Sequence, residues 1–135
     1  MSTEGKTSKH NTTDYSGQKL TGVSFRNQNL TGYNFKDAQL IDCDFWGAEA
    51  WPNGTEGGCN FEGTTITGCD FKLSKFQNCD FSGSTITSTH FDSAYLHNIN
   101  LSNAIINERT CFDAATVGSW NLTGARIENV SMQKI

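Results

Sequence analysis

The sequence predicts an all-β solenoid, a square coil in which the chain turns a corner every five residues. Three regularities predict it. All nine phenylalanines (Phe25, Phe35, Phe45, Phe61, Phe71, Phe76, Phe81, Phe91 and Phe112) fall on one register of a five-residue repeat, and Leu20, Leu30, Leu40, Ile66, Ile86, Leu96, Leu101, Ile106, Val117, Leu122, Ile127 and Met132 share that phase. The residue two places before each of these centres is mostly small or β-branched, as at Val23, Ala38, Cys43, Cys59, Thr64 and Ala104. The residue two places after is repeatedly glycine (Gly22, Gly47, Gly68, Gly124) or asparagine (Asn27, Asn78, Asn103), the residues that best tolerate positive φ.

A period of five fits neither ordinary element. On an α-helix, at about 100° per residue, successive centres would fall about 140° apart and wander around the cylinder. On a straight strand an odd period would send each centre to the opposite face. Only a corner in every repeat keeps all centres pointing one way. Strand alternation then sends the small residue inward with the centre, and the polar residue between them, such as Asp44, Asn60, Asp70 or Asn121, outward.

Taken in order, residues 1–14 hold no centre and are rich in Ser, Thr, Lys and Asn, and read as a polar N-terminal arm. The repeat domain spans 15–135. Its first run reaches Ala50, where Trp51-Pro52-Asn53-Gly54-Thr55-Glu56-Gly57-Gly58, with the only proline, reads as an inserted loop of about six residues that folds down over Trp46 or protrudes to meet a partner. A second run from Phe61 to Ile106 ends at a single extra residue within Asn107-Glu108-Arg109-Thr110-Cys111, and a third carries the pattern to Met132. With Ala50 counted, the centres number 22. How the coils before the loop align with those after it is left open by the sequence.

Cys43-Asp44-Phe45-Trp46-Gly47, Cys79-Asp80-Phe81-Ser82-Gly83 and Trp120-Asn121-Leu122-Thr123-Gly124 resemble the motif of the pentapeptide-repeat proteins: small, Asp or Asn, Leu or Phe, then two polar or turn residues. The resemblance covers roughly residues 18 to 133 and implies a right-handed quadrilateral β-helix with four repeats to a coil. At ~4.8 Å between coils, five to six coils make a rod of about 26 Å. Each coil buries its centres only against its neighbours, so the ends need closing.

Composition narrows the function. The net charge is −4, and no apolar run reaches the length of a membrane span or signal-peptide core. The chain is therefore expected away from the membrane, in the cytoplasm or in a virion. Of five cysteines, Cys43, Cys59, Cys69 and Cys79 take the small inward position and act as compact hydrophobes in a reducing compartment. Repeat counting places Cys59 and Cys79 on one face and Cys69 on the opposite one, so no four thiols converge on a metal. His90 and His97 take outward or corner positions, and the repeat puts no Cys or Ser nucleophile beside them. No catalytic residue, metal or cofactor is expected, and the chain reads as a non-enzymatic protein.

Two kinds of partner remain. The resemblance implies that some relatives mimic duplex DNA and bind a type II topoisomerase, protecting gyrase and giving quinolone resistance. That role needs a continuous acidic stripe, and between residues 20 and 132 twelve acids face six bases, with Lys72 interrupting the row Asp70, Asp92, Asp113. The favoured reading is a structural or protein–protein interaction module, a component of a larger assembly such as a decoration or cement protein of a phage capsid. Ile41, Trp46, Trp51, Leu73, Tyr95 and Ile105, which the repeat sends outward or into corners, are its candidate partner contacts. Trp120, Val130, Met132 and Ile135 are candidates for an end cap or a homo-oligomer contact, and no direct nucleic-acid binding is expected.

Overall fold

Ten short strands and no helix make up the computed structural model, which describes residues 13–54 and 57–135. Strands β1 (Lys19–Thr21), β2 (Gln39–Ile41), β4 (Thr65–Thr67), β6 (Thr85–Thr87), β8 (Ile105–Asn107) and β10 (Arg126–Ile127) form one parallel sheet in that order. Strands β3 (Glu49–Ala50), β5 (Lys75–Asp80), β7 (Tyr95–Asn100) and β9 (Thr116–Asn121) form the other. Isolated parallel bridges complete the two remaining sides, and the whole is an all-β right-handed quadrilateral β-helix. Apart from Thr13 and Asp14, the predicted arm lies outside the described residues. Asp14 itself bridges Asn34, so the first coil begins one residue inside that span, with Tyr15 as an additional centre stacked 5.4 Å above Phe35.

The pairings settle the register that the sequence left open. The first face stacks Leu20, Leu40, Ile66, Ile86, Ile106 and Ile127. The second stacks Phe25, Phe45, Phe71, Phe91 and Phe112 at centroid spacings of 4.9, 4.4, 4.8 and 4.9 Å. The third carries Ala50, Phe76, Leu96 and Val117, and the fourth Tyr15, Phe35, Phe61 and Phe81. Leu40 pairs with a residue 26 positions on rather than 20, and Ile106 with one 21 positions on. Both slips are thus absorbed at corners while every centre keeps its partner.

The interior is two columns of offset-stacked rings from opposite faces, meeting edge-to-face along the axis, as Phe45 and Phe61 do at 6.1 Å and 72°. Both arrangements match the ring quadrupole, and each such pair adds about 0.5–1.5 kcal/mol beyond area burial. The centres from Leu20 to Phe112 are essentially inaccessible to solvent. Val117, Leu122, Ile127 and Met132 depart from the expectation that every centre is buried, because no further coil stacks on them.

Corners follow the predicted chemistry. Except after Ala50, where Pro52 enters the loop, the second residue after each centre has positive φ, whether it is glycine or asparagine, another polar residue such as Asp37, Asp42 or Ser88, or, at higher steric cost, an apolar one such as Leu73 at 59°. On the second and fourth faces the Asp or Asn before the centre also accepts a hydrogen bond from the backbone N–H two residues on, as in Trp46 N to Asp44 Oδ1 (2.9 Å), Lys72 N to Asp70 Oδ1 (2.9 Å) and Glu62 N to Asn60 Oδ1 (2.8 Å). This Asx turn is why the motif asks for Asp or Asn there. At the one-residue slip, Glu108 and Arg109 are both left-handed, and the buried Thr110 hydroxyl donates to Asn107 O at 2.9 Å.

The described first part of the inserted loop, residues 51–54, runs toward the C-terminal coils, not back over Trp46. Its Trp51 ring meets His97 edge-on at 5.4 Å, and Pro52 O accepts from Gln77 Nε2 at 3.1 Å. Trp46 is covered by the Arg26 guanidinium, 4.4 Å above its ring, instead. The loop rejoins the coil at Gly58, where a Cβ would collide with Gln77 O and Cys79 Sγ. Only glycine permits that close passage.

Candidate functional site

The six predicted lateral contacts do not converge. Ile41 and Ile105 lie on the first face, Trp46 and the Leu73 corner on the second, Trp51 and Tyr95 on the third. Ile41 and Trp46 are half-buried, while Trp51, Leu73, Tyr95 and Ile105 are exposed. Tyr95 sits under the Lys75 ammonium at 5.9 Å, and Arg26 also pairs with Asp44 at 3.2 Å. These side faces are a mosaic of single apolar side chains among polar ones, without a continuous patch.

The C-terminal end is different. Val117, Leu122, Ile127 and Met132, one centre from each face and hence one complete coil, are each 36–42% exposed, and Ile135 beyond them is 53% exposed. Trp120, aligned with Ile99 and Cys79 along the small-residue column, turns inward. Its ring meets Phe112 edge-on at 5.4 Å and its indole N–H donates to Leu96 O at 3.1 Å. Beneath it remains a void of about 10 Å³. Val130 packs half-buried against the core, whereas Met132 and Ile135 face out. The result is an apolar square, partly filled by one tryptophan and bordered by the unpaired edges of β9 and β10.

Asp113 pins this end. Its Oδ1 accepts from the Ser131 hydroxyl and, at 2.8 Å, from Gln133 N, tying the last segment to the coil before it. The Ser131 hydroxyl, then the Gln133 N–H, lower the Asp113 pKa below the ordinary 3.8. A folded-state pKa below the unfolded one gives support that is present above about pH 4 and lost as the pH falls through the lowered value. Amide exchange at Ser131 and Gln133 is expected to accelerate below that range, normalised for intrinsic rates, and Asp113→Asn to remove the dependence.

One expectation is corrected on the second face. His90 does have a thiol beside it, because the extra residue in the 107–111 segment brings Cys111 into register, where it bridges His90. Asp92 lies between them: its Oδ1 is 3.4 Å from His90 Nδ1, and the Cys111 thiol donates to its Oδ2 at 3.3 Å. Burial first, and then the Asp92 and Asp113 carboxylates, push the Cys111 pKa up to about 11, so the free group is a neutral thiol. With carboxylate rather than imidazole against the sulfur, the trio lacks the order of a nucleophile–base–orienter triad. The available sequence signal was Cys111 itself, the one cysteine at an outward position, once the slip is counted.

Comparison with known proteins agrees with this architecture. Two family models, described as pentapeptide repeats (8 copies) and pentapeptide repeats (9 copies), match residues 16–49 and 56–94 respectively. A search of curated protein sequences gives no match. Among solved structures, a pentapeptide repeat protein from the Arabidopsis thaliana thylakoid lumen is 29% identical over 82% of this chain and 66% of its own, with a TM-score of 0.51. Rfr23, a pentapeptide repeat protein from the cyanobacterium Cyanothece 51142, is 16% identical over 84% of this chain and 63% of its own, with a TM-score of 0.45. QnrB1, a plasmid-mediated fluoroquinolone resistance protein, in a trypsin-treated form is 17% identical over 87% and 71%, with a TM-score of 0.33. The chain thus spans just under two thirds of the length of the first two.

Proposed function

The chain belongs to the pentapeptide-repeat family, and from there we propose that it is a protein–protein interaction module that docks end-on, its C-terminal coil seated against that of a second copy, within a larger assembly. Proteins of this family generally serve as structural or interaction modules. The observation that carries the reading is the complete coil of exposed centres at Val117, Leu122, Ile127 and Met132. In interior coils the same positions are at most 3% exposed. A square of four apolar centres is complementary to another such square related by a two-fold axis, the symmetry that closes an assembly at two copies. Contiguous apolar surface of this kind is characteristic of contact sites.

Charge supports this reading over DNA mimicry. The outer columns of the second face run Ser24, Asp44, Asp70, His90, Cys111, Ser131 and, beside them, Arg26, Trp46, Lys72, Asp92, Asp113, Gln133. Neither repeats negative charge at every coil, as a phosphate-like stripe requires. The narrower form of the proposal is a decoration or cement role on a phage capsid or similar particle. Five thiols without a disulfide suit a protein made in the cytoplasm and retained there or in a virion.

Sedimentation equilibrium tests the proposal. The protein is expected at twice its chain mass of 14.8 kDa, with Met132→Glu/Ile135→Glu reverting to the monomer and an unchanged circular dichroism spectrum. A wild-type protein that stays monomeric at ~100 μM, well above the Kd range of stable dimers, would overturn it.

A further inference from the structure

The side of the rod carries a feature that neither the repeat nor end-on docking uses. On the second face Asp44 and Asp70 close their corners through Asx turns, but in the next two coils the same position holds His90 and Cys111, whose side chains do not cap. Both replacements are metal ligands, and the residue between them is Asp92. We propose that His90 Nδ1, an Asp92 carboxylate oxygen and Cys111 Sγ bind a divalent, borderline-soft cation, zinc in its chemistry, with a water in the fourth position.

The geometry is close to that of a bound site. One ligand atom from each residue lies within 4.8 Å of the other two, and the Asp92 carboxylate spans the pair, its Oδ1 3.4 Å from His90 Nδ1 and its Oδ2 3.3 Å from Cys111 Sγ, so that a small carboxylate rotation brings one oxygen to both. A tetrahedron with Zn–N and Zn–O bonds near 2.0 Å and Zn–S near 2.3 Å has edges of about 3.3 and 3.5 Å. The Asp92 Oδ1 atom is shielded from solvent and makes no hydrogen bond although it faces His90 Nδ1, which leaves an acceptor unsatisfied inside the cluster. The donor set of one imidazole, one thiol and one carboxylate matches zinc better than calcium or magnesium, which take oxygen alone.

Binding exchanges the thiol proton for the metal: the S–H bond breaks, its proton goes to solvent, and the sulfur lone pair forms the S–metal bond. Thiolate and carboxylate together neutralise the 2+ charge. The ion ties the coil of His90 and Asp92 to the next across the 107–111 slip, the one place where the second run of the repeat loses its phase.

The full chain, freed of metal by a chelator and kept reduced, is titrated with Co2+ and then with Zn2+. A thiolate-to-cobalt charge-transfer band saturating at one ion per chain, and erased by Zn2+, is expected. Cys111→Ser should abolish the band, and His90→Ala should weaken binding at least ~10-fold, as loss of ligand-shell groups does. Exposed His90 can be replaced without disturbing the core, so that arm remains readable if Cys111→Ser, at a buried position, fails to fold. No band in the wild type, or a band that survives Cys111→Ser, would overturn the assignment.

Discussion

Replacing Phe61 by alanine is expected to destabilise the protein by about 3–5 kcal/mol, the largest loss of any single truncation. Phe61 lies at 4.5 to 6.1 Å from five other rings: it stacks on Phe35 and Phe81 along the fourth face, and meets Phe45, Phe71 and Phe76 edge-on. Few positions lie so centrally in both ring columns. In a solenoid each coil is stabilised by its neighbours, so a cavity here weakens two interfaces at once. The same loss at Leu20, in the first full coil, removes contacts on essentially one side. Urea melts should show a large drop in midpoint for Phe61→Ala with the smaller drop for Leu20→Ala; equal drops would argue against nearest-neighbour coupling.

Trp120→Ala should cost about 2–4 kcal/mol, less than a core phenylalanine because the indole is only half-buried. The change removes the edge contact to Phe112 and the hydrogen bond to Leu96 O, and opens the ends of Leu96 and Ile99 to water. Loss of order should be local, confined by hydrogen exchange to residues from about 112 onward, while coils before Phe91 keep their protection. Uniform loss of protection across the chain would mean that Trp120 holds the whole rod, contrary to its place at one end.

How much of this was legible in the sequence depends on what each residue type must do. The interior was readable because a five-residue period leaves one solution for apolar residues, and the corners because positive φ selects glycine and asparagine. The alignment across the loop was not, since Leu40 could stack on any centre of the second run until the number of inserted residues was fixed by pairing with Ile66. The course of the loop depended on the Trp51–His97 contact, which local pattern cannot reveal. His90 and Cys111 were separately visible, but their meeting depends on the slip adding one residue to one coil only. The lateral contacts illustrate the converse: Ile41, Trp46 and Trp51 are evenly spaced along the chain, yet a square coil sends successive repeats to different faces.

The equal height of the coils makes length a free variable of this fold. Ile66, Ile86 and Ile106 occupy equivalent places in coils that each contact only the one above and the one below. Adding or deleting a 20-residue coil in that stretch would shift the C-terminal end by ~4.8 Å along the axis. Its surface chemistry would stay unaltered. The rod is thus a spacer whose reach is set in discrete increments independently of the chemistry of its tip.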